Sequence, residues 1–420
     1  MRHALIARWR HLYEAYSVLF YLSIVAMLAE LAYGIVNQSA LPPYVQELGL
    51  TAQIGIIYAT FLAIETLFKS PMGSIGDRIG RRPLVVGGAL LSCLVSLGIT
   101  VFHSLWQLLI LRALDGIAAA AIWPTMVAAI GGSVSPERRT TAMSALTVTY
   151  IAGVAFGPLL GGIANDLTNS RLTSFYVVSI IFFVTAIVAA LLTPHRSKEE
   201  EEEAYVVEES SSRWSCIVMG LKAVPHMMLL AFGVFFAVGL LIPIIKLFAM
   251  NQLHMSETGF GALIFPVAGA VGVASLGSGK LGDAWGKTRS VRLGVGMGAL
   301  AMWAIASVDT PWELLIAGAF LGIGFVLAMP AWLALVSDIA APHLRGAVIG
   351  ALGTAQGIGA VLGAAVGPYL YQSVPINFFG IHKDSHYTPF VASALALTAC
   401  FILVMLTMRE GRHRRIIGKA

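Results

Sequence analysis

"GSIGDRIGRR", residues 73–82, lies between two apolar runs and sets Asp77, Arg78, Arg81 and Arg82 among Gly73, Gly76 and Gly80. Some 206 residues later "GKLGDAWGKT", residues 279–288, repeats its frame: Gly73 falls on Gly279, Gly76 on Gly282, Asp77 on Asp283, Gly80 on Gly286 and Arg81 on Lys287. The same shift carries Gly116 onto Gly322, Pro124 onto Pro330, Pro136 onto Pro342 and Arg139 onto Arg345. A register kept across four separate places implies an internal repeat, two related bundles about an axis along the membrane normal.

Around this frame the 420 residues are 57% hydrophobic and 12% charged, with a mean hydropathy of +0.81. A soluble domain carries about 25% charged residues, so the chain is a membrane protein. Apolar stretches near 17–38, 52–72, 83–102, 105–131, 140–163, 174–193, 224–249, 258–278, 290–308, 312–337, 345–371 and 387–408 are each long enough to cross a hydrocarbon core as a helix. Barrel-type alternation is not seen, and the expected fold is all-α, twelve transmembrane helices in two pseudo-symmetric six-helix bundles.

The first apolar stretch follows "MRHALIARWRHLYEAY" without a small-residue cleavage site and reads as a retained helix with its N-terminus inside. On that topology Arg171 and Lys383 lie outside, Lys69, Arg112 and Lys246 lie within spans, and the rest of the 27 Lys and Arg are cytoplasmic. The positive-inside rule then puts both termini in the cytoplasm. "RHRR" at 412–415 becomes a juxtamembrane tail facing anionic lipid rather than a nucleic-acid patch. The glutamate- and serine-rich run inside 194–222 reads as a solvated linker between an N-terminal bundle, 1–193, and a C-terminal bundle with its tail, 223–420. Cys93, Cys216 and Cys400 are too scattered for a disulfide framework or a metal site, and no cofactor is implied.

"GSIGDRIGRR" matches a G-x-x-x-D-R/K-x-G-R/K-R/K pattern, and over essentially its whole length the chain resembles the major facilitator superfamily of secondary transporters. The resemblance implies that residues 73–82 join helices 2 and 3 and latch the cytoplasmic side when the cavity faces out. The glycines would allow close approach and a turn at Gly80, with Asp77 pairing at the rim; the competing reading is that Arg78, Arg81 and Arg82 only set topology. "GVAFGPLLGG", 153–162, with Gly153, Gly157, Pro158, Gly161 and Gly162, resembles the helix-5 signature of the family's proton-coupled drug antiporters. Proline favours a bend and the glycines a smooth contact face, which suits a pivot as well as ordinary packing.

Three carboxylates lie well inside spans: Glu30, Glu65 and Asp115. Charge there is costly, so each is a functional candidate. Glu30 has no basic neighbour at helical spacing, and a carboxyl kept from water favours its neutral form, the property of a proton carrier. Tyr33 and Asn37 follow it on one stripe. Arg112 and Asp115, three apart, are able to pair, and Arg112 to Gly116 resembles the family's helix-4 R-x-x-x-G motif, so the couple stands as either a proton-transfer site or a static bridge. Glu65 and Lys69, four apart, read as a structural pair before a coupling site, and Lys246 is expected to snorkel to the interface. Trp123, Phe236, Trp332 and Gln356 complete a largely apolar expected cavity.

The reading is a monomeric secondary transporter in a lipid bilayer, exporting hydrophobic or amphipathic small molecules against protons by alternating access, and not an enzyme. Its compact loops suggest a bacterial inner membrane. Proton symport or facilitated uptake of a metabolite, a lipid or lysolipid flippase, and a non-transporting receptor are the alternatives.

Overall fold

The computed structural model describes residues 20–132, 139–192, 225–339, 345–378 and 381–408; the linker, the basic tail and Cys216 lie outside them. The helices are α1 (Phe20–Glu47), α2 (Ile54–Ile79), α3 (Arg81–Ile99), α4 (Leu105–Gly132), α5 (Arg139–Thr168), α6 (Thr173–Leu192), α7 (Pro225–Gly239), α8 (Glu257–Trp285), α9 (Lys287–Ile305), α10 (Pro311–Ile339), α11 (Arg345–Ser373) and α12 (Thr388–Thr407). Ten contain windows long and apolar enough to cross a membrane, and α7 and α9 occupy the other two expected positions.

The repeat extends to the helix ends. Shifted by 206 residues, the end of α2 falls on the end of α8, and both ends of α3 fall on both ends of α9. The starts of α4 and α5 likewise fall on those of α10 and α11. Between α11 and α12 the register slips, because a small antiparallel hairpin, Ile376–Phe378 with Ile381–Lys383, is inserted there. That hairpin is a departure from a purely helical chain.

Two expectations about continuity are corrected. Residues 73–79 are the last two turns of α2, so the supposed loop contracts to the single residue Gly80, whose φ of 92° and ψ of 158° suit glycine. Gly286 does the same between α8 and α9 with φ 90°. The span expected over 224–249 stops at Gly239 and resumes as a short helix, Ile245–Asn251, because Pro243 between them has no N–H to continue the ladder. In α1 a π-helical stretch, Ile35–Ala40, precedes Pro42 and Pro43, and the same shift puts it on 241–246. The first helix of each half is thus irregular at one level.

Large apolar side chains such as Leu94, Trp106, Leu167 and Leu191 are exposed, as lipid-facing surface requires. Helices that exchange one apolar neighbour for another gain little from the hydrophobic effect, so close packing and hydrogen bonds hold them. The chain groups into two compact units, one from the described parts of 1–44 with 63–209, the other from those of 45–62 with 210–420. In the second unit Gln372 Nε2 donates to the Thr51 carbonyl at 2.7 Å, and Gly55 lies against the carbonyls of Ala364 and Ala365.

Candidate functional site

In the first unit the glycines of "GVAFGPLLGG" form the contact between α5 and α1. A Cβ on Gly153 would fall 2.6 Å from the Cβ of Glu30, one on Gly157 would meet the Gly34 backbone at 2.8–2.9 Å, and one on Gly161 would meet Ser39 Oγ at 2.8 Å. Ser39 Oγ donates to the Pro158 carbonyl at 3.3 Å, which ties the two helices at the proline. Gly162 is buried in the same stretch.

The second unit repeats the seam with different cargo. Shifting Gly153, Gly157 and Gly161 by 206 gives Gly359, Gly363 and Gly367 of α11, which lie against Phe232, Phe236 and Leu240. Glu30 itself shifts onto Phe236, which stacks on Phe232 with ring centroids 6.0 Å apart and planes 14° apart. An acid in one half stands where the other half has an aromatic face.

Beside the α1–α5 seam lies a buried polar chain. Arg112 Nη1 reaches Asp115 Oδ2 at 2.5 Å and Nη2 reaches Asn37 Oδ1 at 2.7 Å; both Arg112 and Asp115 are buried. Ser92 Oγ donates to Asp115 Oδ1 at 2.8 Å, and Tyr33 Oη lies 2.9 Å from Ser92 Oγ. The Tyr33 ring packs edge-on against Phe182 at 5.0 Å. Tyr33 and Asn37, expected to line a cavity, are therefore engaged in this chain. Ser92 was missed by sequence reasoning, since a serine in an apolar helix carries no spacing signal.

Glu30 is half-buried and within electrostatic reach of Glu65 and Lys69. Glu65 Oε1 and Lys69 Nζ pair at 2.8 Å, with Lys69 44% and Glu65 17% exposed. Tyr150 lies in the field of both acids and meets Trp123 ring to ring at 5.4 Å. Glu30, Glu65, Trp123 and Tyr150 thus share one neighbourhood, of which Tyr150 was not anticipated.

At 73–82 the expectations divide. A Cβ on Gly76 would stand 3.1 Å from Leu84 Cδ2 and 3.6 Å from Thr125 Oγ1, a close approach of α2, α3 and α4. Gly73 faces open space, so no tight contact explains it. Arg78 is exposed and Arg81 and Arg82 are half-buried, while the Asp77 side chain lies outside the described residues.

In the second unit Lys246 does not snorkel. It is buried, with Nζ 2.7 Å from Oε2 of buried Glu257. A buried ammonium needs a counter-charge, and the helix break at Pro243 turns the short helix so that its lysine meets the first turn of α8. Trp332 is 2% exposed and sits in a packed core with Met227, Ala328, Ala355 and Val348, so it is a core side chain more than a cavity wall. Gln356 is half-buried on α11. Among the described residues no cluster of three or more His, Cys, Asp or Glu is placed to hold a metal.

Residues 22–221 and 227–419 match the sequence model of the Major Facilitator Superfamily. The multidrug resistance protein MdtG of Enterobacter lignolyticus (strain SCF1) is 26% identical over 352 residues, 80% of this chain and 81% of that protein. MdtG of Salmonella typhi is 26% identical over 347 residues, covering 79% and 83%. Among solved structures, the nucleoside transporter NupG superposes with a TM-score of 0.75 at 13% identity, covering 93% of this chain and 100% of that one. A bacterial homologue of the human lysosomal transporter Spinster gives 0.72 at 15%, covering 94% and 96%. These structural likenesses establish the fold.

Proposed function

We propose that this chain, which belongs to the Major Facilitator Superfamily, is a proton-coupled exporter of hydrophobic or amphipathic small molecules. The observation that carries the reading is the seat of Glu30, an acid inside α1, backed by the α5 glycine seam and set in the field of Glu65 and Lys69. A protonated Glu30 removes a charge from the span, and an ionised one offers a counter-charge to a cationic substrate, so proton and substrate compete for one group. The aromatic pair Trp123 and Tyr150 beside it offers an apolar face to such a molecule. The names of the MdtG relatives point the same way.

In this reading the 1–193 and 223–420 halves alternate access, the 194–222 linker spaces them, and Arg78, Arg81 and Arg82 act at the cytoplasmic rim to favour the outward-facing state. The protein works as a monomer in a bacterial inner membrane with both termini cytoplasmic.

The test is uptake of a fluorescent lipophilic cation into inside-out vesicles under an imposed inward-acidic gradient, for wild type and Glu30→Gln. Gradient-driven accumulation lost in the variant supports the proposal. Accumulation that survives the substitution removes Glu30 as the carrier, and none in wild type counts against export of this class.

A further inference from the structure

Of the three intramembrane acids of the first unit, Glu30 lies in a half-buried neighbourhood and Asp115 in a closed one, and the question is what keeps these two apart. Asp115 accepts on both oxygens, Oδ2 from Arg112 at 2.5 Å and Oδ1 from Ser92 at 2.8 Å. A serine hydroxyl has one hydrogen. Because Ser92 spends it on Asp115, the 2.9 Å contact to Tyr33 requires Tyr33 to donate and Ser92 to accept. The hydrogens therefore all point one way, Tyr33 to Ser92 to Asp115.

We infer that Ser92 is a positioning residue that, with Tyr33 behind it, holds Asp115 as a charged partner of Arg112 and leaves Glu30 as the acid that exchanges protons. The groups facing Asp115 are Arg112 on its own helix, Ser92 on α3, Tyr33 and, through Arg112, Asn37 on α1, with Glu65 of α2 acting through its field. The two carboxylate oxygens are thus held by charge-assisted hydrogen bonds from two different helices, and removing the Ser92 donor takes one of them away. Tyr33 stands three residues after Glu30 on α1, so the chain begins one turn from the acid it leaves free. Deleting the Ser92 hydroxyl also leaves Tyr33 without that acceptor. The assignment deepens the proton-coupled reading and rests on it for the role of Glu30, but the hydrogen-bond chain itself is open to a measurement that needs no transport.

That measurement is an infrared pH titration of the full chain reconstituted in lipid, with aspartate labelled by 13C at its side-chain carboxyl. The readout is the midpoint at which the protonated-carboxyl band of a buried aspartate appears. Ser92→Ala is expected to move one aspartate midpoint up by about one to two pH units, the worth of a hydrogen bond to a charged group. Ser92→Thr, which keeps the hydroxyl, is expected to hold the wild-type value. Tyr33→Phe is expected to give a smaller shift in the same direction, and it serves in place of Ser92→Ala if that variant does not fold. No aspartate shift in Ser92→Ala or Tyr33→Phe overturns the inference, as does an equal shift in Ser92→Thr, which would mark packing and not the hydroxyl. Failure of the vesicle assay with these aspartate shifts present would overturn proton-coupled export while leaving the Ser92 assignment standing.

Discussion

The backbone of Glu30 lies so close to Gly153 that a Cβ there would stand 2.6 Å from the glutamate Cβ and 2.9 Å from its carbonyl carbon. The α5 glycine motif and the acid of α1 are two sides of one contact. Enlarging the glycine therefore moves the acid. Gly157 meets the Gly34 backbone, which has no side chain to rearrange, and overpacked contacts cost about 1–3 kcal/mol or more. Gly157→Val is expected to lower the melting temperature in detergent sharply, whereas Gly73→Ala, facing open space, is expected to leave it unchanged. Equal melting of the two variants would show that the seam does not hold the helices.

Gly80 and Gly286 carry a backbone conformation that L-residues rarely adopt, at φ 92° and 90° with extended ψ. Strain of this kind costs about 1–3 kcal/mol per site. Alanine at either position is expected to reduce thermal stability by that order, and at both positions to add. Asparagine is not expected to rescue, since its tolerance is for left-handed helical ψ. Rescue by asparagine would mean that the turn relaxes to a different shape.

Much of this was legible beforehand. Gly80 and Gly286 were visible because one turn permits one residue, and the shared shift placed them in equivalent breaks. The α5 motif was visible as spacing, but its partner was not, because nothing in the sequence says which helix a glycine face meets. Arg112 and Asp115 were readable as a pair from their three-residue separation; Ser92 and Asn37, which also bond to the pair, come from α3 and α1. Lys246 was misread because its partner, Glu257, is eleven residues on and across a helix break, a distance at which helical periodicity has no meaning. The extent of α2 through Ile79 was hidden by the polarity of 73–79, which resembles a loop until the helix is seen to continue past the apolar span.

Lys246 and Glu257 offer a cleaner energetic test than most ion pairs, being buried at 2.7 Å. Removing one partner from such a pair costs about 3–5 kcal/mol because the other charge is stranded, while replacing both with apolar groups is often near neutral. Lys246→Met and Glu257→Leu are each expected to be strongly destabilising, and the double variant more stable than either. Additive losses in the double variant would indicate that each side chain acts through other contacts.

Glu30 and Asp115 are expected to separate by substitution. Asp115→Asn leaves the Arg112 guanidinium buried without its charged partner, so it is expected to lose about 3–5 kcal/mol of stability and much of its yield. Glu30→Gln removes a charge from a half-buried position within the span and keeps the shape, so melting is expected to stay within a few degrees of wild type while gradient-driven transport disappears. Thermal unfolding and vesicle uptake measured on the same preparations decide between a structural and a coupling role for each. If Asp115→Asn were stable yet inactive and Glu30→Gln active, the roles would be reversed, with Asp115 the carrier and the Tyr33–Ser92 chain the route by which its proton arrives.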